Sequence, residues 1–455
     1  MTGKHASARS VFRTSCIISF ALLAGSCSFQ HGIVPFRCQD YDAIPFTPLI
    51  AQASQTVFEN FPQFIAIHGS GTAELAKGKS ADAIKVEQSV DLPPFVDRAT
   101  VFLNGWRLAY LGSDQHVLAL GAAITRIRME VDSATKRSKL VWNALGMLRD
   151  DDGEEGYSFK YEFTVFAWDD GSIAANIDHG NGNNQFCGPT GIIQDNWYLA
   201  YNQWTTTALS SAFSFIKNTV FAPAATVAVL PRGFGFTWLP GVSGLDATFG
   251  DHHLLQIAYD LDHSEVFADG SKTYSTKDLS TPALPNGTSV TAGGFVSWNT
   301  KFIYKDNETR RDYGFGEVVS AMAGNDVGLI HPPFSPLPIE KLNSIGSVCT
   351  SGARGLSQDF VIENVPFELG VPMLTGWELE YQSSCGDQHV KTIGVWIDHW
   401  SYDPPIGSAG GTLHYTLQSV LHDDDNVPFF FPDHRVSILG IKPTFGSIKA
   451  GSIGK

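Results

Sequence analysis

Gly105-Trp106-Arg107-Leu108-Ala109-Tyr110, with Asp114-Gln115-His116-Val117 just behind it, is one of three versions of the same pattern in this chain. Gly233-Phe234-Gly235-Phe236-Thr237-Trp238 precedes Asp251-His252-His253-Leu254, and Gly376-Trp377-Glu378-Leu379-Glu380-Tyr381 precedes Asp387-Gln388-His389-Val390. Large residues alternate with smaller or polar ones, most cleanly where Trp377, Leu379 and Tyr381 are interleaved with Glu378 and Glu380. A period of two belongs to a strand with one buried face, and a helix would need apolar residues at a spacing of three and four. The likeness continues downstream. Trp142, Trp298 and Tyr415 each stand eight residues before an aspartate, Asp150, Asp306 or Asp423, that opens a polar run. From His116 to Asp150 and from His389 to Asp423 is 34 residues, while the middle copy takes 53 from His253 to Asp306. Self-similarity of this kind marks an array of like units.

Composition agrees with packed domains. The chain has 455 residues, enough for two to four domains of ordinary size. Hydrophobic residues make up 43% and charged residues 17%, with 44 Gly and 23 Pro to supply turns. The expected fold is all-β, with three related antiparallel β-sandwich modules in tandem behind an N-terminal export signal. Module 1 covers 93–170, module 2 covers 190–330 and module 3 covers 339–445, with 28–92 read as a less legible segment that holds the first strands of module 1. Thr72 to Gln88 has some helix-forming composition, broken by Gly78. Asp169 to Pro189, rich in Gly, Asn and Asp, and the Pro-rich run His331 to Pro338 serve as connectors. Ala268 to Val290, full of Ser, Thr, Lys and Pro, reads as a long exposed loop inserted in the middle copy.

Residues 1–27 have the form of an export signal. Lys4, Arg9 and Arg13 precede a short apolar run from Cys16 to Gly25, too short for the about 20 apolar residues of a membrane span. Ala24-Gly25-Ser26-Cys27 resembles the lipobox of bacterial lipoproteins, with Ala24 where Leu is usual. That resemblance implies a lipid on Cys27 and, with Ser28 behind it, delivery to an outer membrane. Cleavage by an ordinary signal peptidase, giving an extracellular protein, is the alternative. Export permits disulfides among Cys38, Cys187, Cys349 and Cys385. Cys349 with Cys385 is the expected pair because both sit in the third copy, which leaves Cys38 with Cys187. The formal net charge of −15 and the lack of a basic cluster exclude nucleic acid as a partner.

Three sets of residues are candidates for chemistry. Asp and His are metal ligands and acid–base partners, and the middle copy is densest in them, with Asp251, His252, His253, Asp262 and His263. The equivalent pair Asp398-His399 is separated from His389 by eight residues that read as one strand, which puts the two ends roughly 26 Å apart. The Asp-x-His triplet therefore reads first as a turn at a strand entry, and its recurrence in every copy is taken to favour a fold-stabilising role. The polar runs at Asp150, Asp152, Asp423 and Asp425 offer hard oxygens for calcium, or simply solvated hairpin turns. Trp197, Trp204, Trp396 and Trp400 are not part of the triplicated set and are the candidates for a contact surface.

No Gly-x-Ser-x-Gly, His-Glu-x-x-His or P-loop pattern is present. The expectation is a non-enzymatic, exported binding or surface-assembly protein whose target is a polysaccharide or another envelope protein. It would touch the membrane through a lipid anchor alone and need no cofactor beyond calcium or zinc. A metal-dependent hydrolase centred on the middle module, and a structural spacer, are the alternatives.

Overall fold

The computed structural model describes the chain between residues 46 and 441, apart from 53–55, 60–63, 78–82, 94–95, 97, 133–137, 151–153, 169–195, 203–209, 222–225, 239–252, 268–272, 276–288, 292–293, 307–312, 325–326, 331–334, 337–354, 382–388, 407–408 and 425–429. Every regular element among the described residues is a strand, and the sheets are antiparallel.

Each copy follows one plan of six main strands. After the short β1 (Leu49–Gln52) and β2 (Thr56–Glu59), the first copy comprises β3 (Phe64–Leu75), β4 (Ile84–Leu92), β5 (Arg98–Tyr110), β6 (Ala119–Val131), β7 (Ser138–Arg149) and β8 (Tyr157–Trp168). The second has β9 (Asn196–Asn202), β10 (Ser210–Phe221), β11 (Thr226–Trp238) and β12 (Leu254–Phe267). After the small ribbon of β13 (Thr273–Ser275) and β14 (Ser289–Thr291) it ends with β15 (Gly294–Asp306) and β16 (Tyr313–Gly324). The third is β17 (Val327–Ile330), the two-residue β18 (Ser335–Pro336), β19 (Leu356–Val365), β20 (Leu369–Tyr381), β21 (Thr392–Asp403), β22 (Gly411–His422) and β23 (Phe430–Ile441). The region with helix-forming composition, Thr72 to Gln88, holds the end of β3 and the start of β4. Burial of alternate residues along β4 outweighs its weak helical propensity.

The sheets are shared between copies. One runs β1-β3-β8-β5-β21-β22-β19, with β2 attached to β3; a second runs β4-β7-β6-β11-β16-β9; a third runs β10-β15-β12-β20-β23-β17, with β18 attached to β23. In each copy the first, sixth and third main strands form one half-sheet and the second, fifth and fourth form another. The third strand of a copy then pairs with the fourth strand of the copy before it, as β11 does with β6 and β20 with β12. β5 pairs with β21 and closes the cycle. The expectation of modules strung one after another is thus replaced by units that continue one another's sheets. Composition and turn spacing could not reveal this, because pairing between distant strands leaves no local signal.

The triplicated stretch occupies these seams. Trp106, Leu108 and Tyr110 of β5 are buried while Arg107 is exposed, and Trp377, Leu379 and Tyr381 of β20 are buried between half-buried glutamates. Trp106, Phe234 and Trp377, at equivalent positions of β5, β11 and β20, form a triangle of rings with centroids 4.9, 5.1 and 4.9 Å apart. Ring pairs of this geometry contribute about 0.5–1.5 kcal/mol each beyond the area they bury. The three third strands therefore stand side by side around a shared aromatic core. The glycine preceding each ring has a steric reason. Gly105 and Gly233 lie opposite Trp396 and Ala123 across the seam, and a Cβ on either would overlap the neighbour's Cα and Cβ. Gly376 faces Asp260 in the same register.

Candidate metal centre

Each third strand leads through a turn into its copy's fourth strand, and each turn carries the histidine of the Asp-x-His triplet just before a buried apolar residue. That residue is Val117, Leu254 or Val390, at 2%, 0% and 1% exposure, and it anchors the end of the turn in the core. With β5, β11 and β20 packed together, the three turns emerge at the same end. His116 Nε2 lies 3.2 Å from His253 Nε2 and 2.8 Å from His389 Nε2. The ligand atoms of all three lie within 4.8 Å of one another, and their rings pack at centroid distances of 4.5 to 5.4 Å. His253 is buried, while His116 and His389 are partly open to solvent.

The turns are held by bonds within the third copy and between it and the first. Gln115 and Val390 exchange backbone hydrogen bonds of 3.0 Å, zipping the first turn to the third. The Asp423 carboxylate accepts the His389 backbone N–H at 3.1 Å, and Tyr381 donates its hydroxyl to the His389 carbonyl at 3.0 Å. Burial pushes the Tyr381 phenol well above its ordinary range, which keeps it a donor. Asp114 accepts the backbone N–H of Asp424 at 3.1 Å, with the same oxygen 3.9 Å from His389 Nδ1. Both aspartates thus hold backbone, and Asp114 also stands on the Nδ1 side of His389, where carboxylates orient metal-binding imidazoles.

Three Nε2 atoms facing one another are awkward without a cation. Each neutral imidazole presents either a proton or a lone pair there, so no assignment of protons satisfies all three pairs. At best His116 shares one proton between two acceptors, or takes two N–H groups on one lone pair. A transition-metal ion accepts all three lone pairs together. Zinc–nitrogen bonds of about 2.0–2.1 Å place tetrahedral ligand nitrogens about 3.3 Å apart, and an octahedral face brings them to about 3.0 Å. The His116–His253 and His116–His389 spacings of 3.2 and 2.8 Å fit that requirement, and His253 and His389 lie within 4.8 Å of each other. An oxyanion held by three N–H donors of ordinary length would spread the nitrogens much further apart.

Of the five metal candidates in the middle copy only His253 belongs to this cluster, and it is joined by His116 and His389, the equivalent histidines of the other two Asp-x-His triplets. Recurrence of the triplet favours a turn only if each copy must build its own ligand set. In a cyclic arrangement the opposite holds, since equivalent residues near the axis meet. Asp251 and His252 lie outside the described residues. Asp262 stands at a bulge of β12 and His263 pairs with Asn299, within the strand rather than at its entry. β21 runs from Thr392 to Asp403 without folding back, so Asp398 and His399 stay apart from His389, as the strand length implied.

The acidic runs and the tryptophans need correction. Asp150 and Asp423 are buried at 0% and 1%, rather than solvated, and their carboxylates accept the backbone N–H of Glu155 and His389. Asp152 and Asp425 lie outside the described residues. Trp396 and Trp400 are buried at 8% and 5%, so neither offers an exposed platform. The Gly105 seam explains Trp396, whose side chain covers the space where that residue has none. Trp197 lies in β9, paired with Val318, and Trp204 lies outside the described residues. So do Cys27, Cys38, Cys187, Cys349 and Cys385. Among the described residues the three histidines are the one group of His, Cys, Asp and Glu gathered closely enough to hold a metal. The chain matches no protein-family model, and no curated protein and no solved structure matches it.

Proposed function

We propose that this chain is an exported binding or surface-assembly protein, built of three related β-sandwich units, whose functional centre is a divalent transition metal held by His116, His253 and His389. The observation that carries the metal reading is the pair of Nε2 separations, 3.2 and 2.8 Å, among imidazoles drawn one from each copy. Imidazole suits zinc, copper and nickel, whereas calcium takes oxygen ligands. A metal here ties together turns that are 137 and 136 residues apart in the chain, so it fastens one end of the whole assembly. The middle copy supplies one of the three ligands, which argues against a hydrolase contained in that copy. Export, and the lipid on Cys27, rest on the N-terminal sequence. The partner, a polysaccharide or another envelope protein, rests on the net charge of −15, which disfavours polyanions, and on the absence of a recognisable catalytic motif.

The test is metal analysis of the purified protein and of protein reloaded with zinc, cobalt or nickel. One equivalent per chain is expected, lost in His116→Ala and in His253→Ala and retained in His399→Ala, whose ring is exposed on β21. Metal at about 100 times its dissociation constant should add roughly 2.7 kcal/mol to stability, read as a higher melting temperature that EDTA reverses. Failure to take up one equivalent, or undiminished uptake by His116→Ala, overturns the reading.

A further inference from the structure

Among the described residues the ligand set has three members. A structural zinc site is closed by four protein ligands, whereas three protein ligands leave a position for water or an incoming donor. No fourth His, Cys, Asp or Glu joins the group among the described residues. Two described carboxylates beside the cluster accept backbone N–H groups, Asp423 that of His389 and Asp114 that of Asp424. Exposure around the cluster is uneven. His253 is 3% exposed and closes the inner side, while the His389 side chain retains 26% and His116 is also partly open. The more open side, that of His116 and His389, is where a remaining coordination position would lie.

We infer that the metal held by His116, His253 and His389 keeps an exchangeable position on the side of His116 and His389, and that this position takes one small monodentate donor, a nitrogen ligand such as imidazole or a monoanion such as azide. This rests on the metal reading above. The charge of the surroundings selects among ligands. The buried carboxylates of Asp114, Asp150 and Asp423 and the exposed one of Asp424 lie in the turns at this end, and the cations beside them are the Lys391 ammonium, 3.5 Å from Asp424, and the Arg149 guanidinium next to Asp150. Acidic walls attract the cation and repel polyanions, so a neutral or singly charged donor enters more readily than a phosphate chain. In the exchange a bound water leaves as the donor lone pair arrives, and no bond within the protein is broken. A side chain presented by a partner, an imidazole above all, has the same chemistry as the free probe, which would make the centre a docking point for the assembly role.

The test uses the full-length protein loaded with one equivalent of cobalt(II), whose visible absorption reports its ligands. Titration with imidazole and separately with azide should change the spectrum to saturation at one ligand per metal, with inorganic triphosphate much weaker than either. Cobalt bound at one equivalent with a spectrum that neither probe alters overturns the inference and assigns the fourth position to a side chain of the chain itself, with Asp251 and His252 the first to be substituted. Triphosphate binding as well as azide overturns the selection by charge. Absence of stoichiometric cobalt overturns the metal reading itself, an outcome distinct from a closed site.

Discussion

At the scale of single residues, the repeated glycine ahead of each ring is explained by what faces it across a seam. In Gly233→Val the new side chain would collide with the Cα and Cβ of Ala123 and with the Ala122 carbonyl, none of which can swing aside as a flexible side chain would. The backbone of β6 or β11 would have to move at the point where two copies join. Overpacking of this kind costs about 1–3 kcal/mol. Gly355→Ala is the control, because its nearest neighbour, the Ser419 carbonyl, is at an ordinary 3.4 Å. Chemical denaturation should show a clear loss for the first and almost none for the second, and equal effects would refute the seam as the reason for the glycine. The histidine beside each glycine stretch teaches a related lesson. Its residue type was legible as a ligand, but its partners were not, since they lie in other copies at the same position and no local spacing records that.

Among strands, the period of two made β5 and β20 readable, because burial on one face writes itself directly into sequence. β4 was hidden, since Lys85, Glu87 and Gln88 resemble a helix until their strand pairing with β7 is known. The same neighbour dependence governs charge. Glu162 on β8 sits beside His68 on β3, and burial raises its carboxyl to about 8 against the opposing Lys160 ammonium at 2.8 Å, with the Asp398 charge adding to the rise. Burial lowers His68 and His434 to about 4. Between pH 4.5 and 6.5 the unfolded chain binds protons on the two histidines that the native state does not, so they raise stability as pH rises, while Glu162, protonated only in the native state, lowers it. From pH 6.5 to about 8 only the Glu162 effect remains, and stability falls. Glu162→Gln should abolish that upper decline in a series of denaturation midpoints and leave the lower rise intact. A decline that persists in the variant would locate its cause in another group.

For the molecule as a whole, the decisive property is that no copy completes its own sheets. In isolation the middle copy would leave β11 without β6 and β12 without β20, and Phe234 would lose both Trp106 and Trp377. Two strands that lie inside sheets would become open edges flanking an uncovered aromatic ring, a combination that favours aggregation. Modules that merely follow one another would fold when cut apart and would melt separately. Sheets shared around a closed cycle should instead unfold together, because removing any copy strips pairings from both others. A fragment covering 190–330 is therefore expected to lack a cooperative thermal transition and to elute as aggregate in size exclusion, while the full chain melts in a single transition by both circular dichroism and tryptophan fluorescence. A monomeric fragment with a cooperative melt would return the molecule to three independent modules. The meeting of His116, His253 and His389 at one centre would then lose its structural basis, since only the closed cycle brings turns from all three copies to the same end.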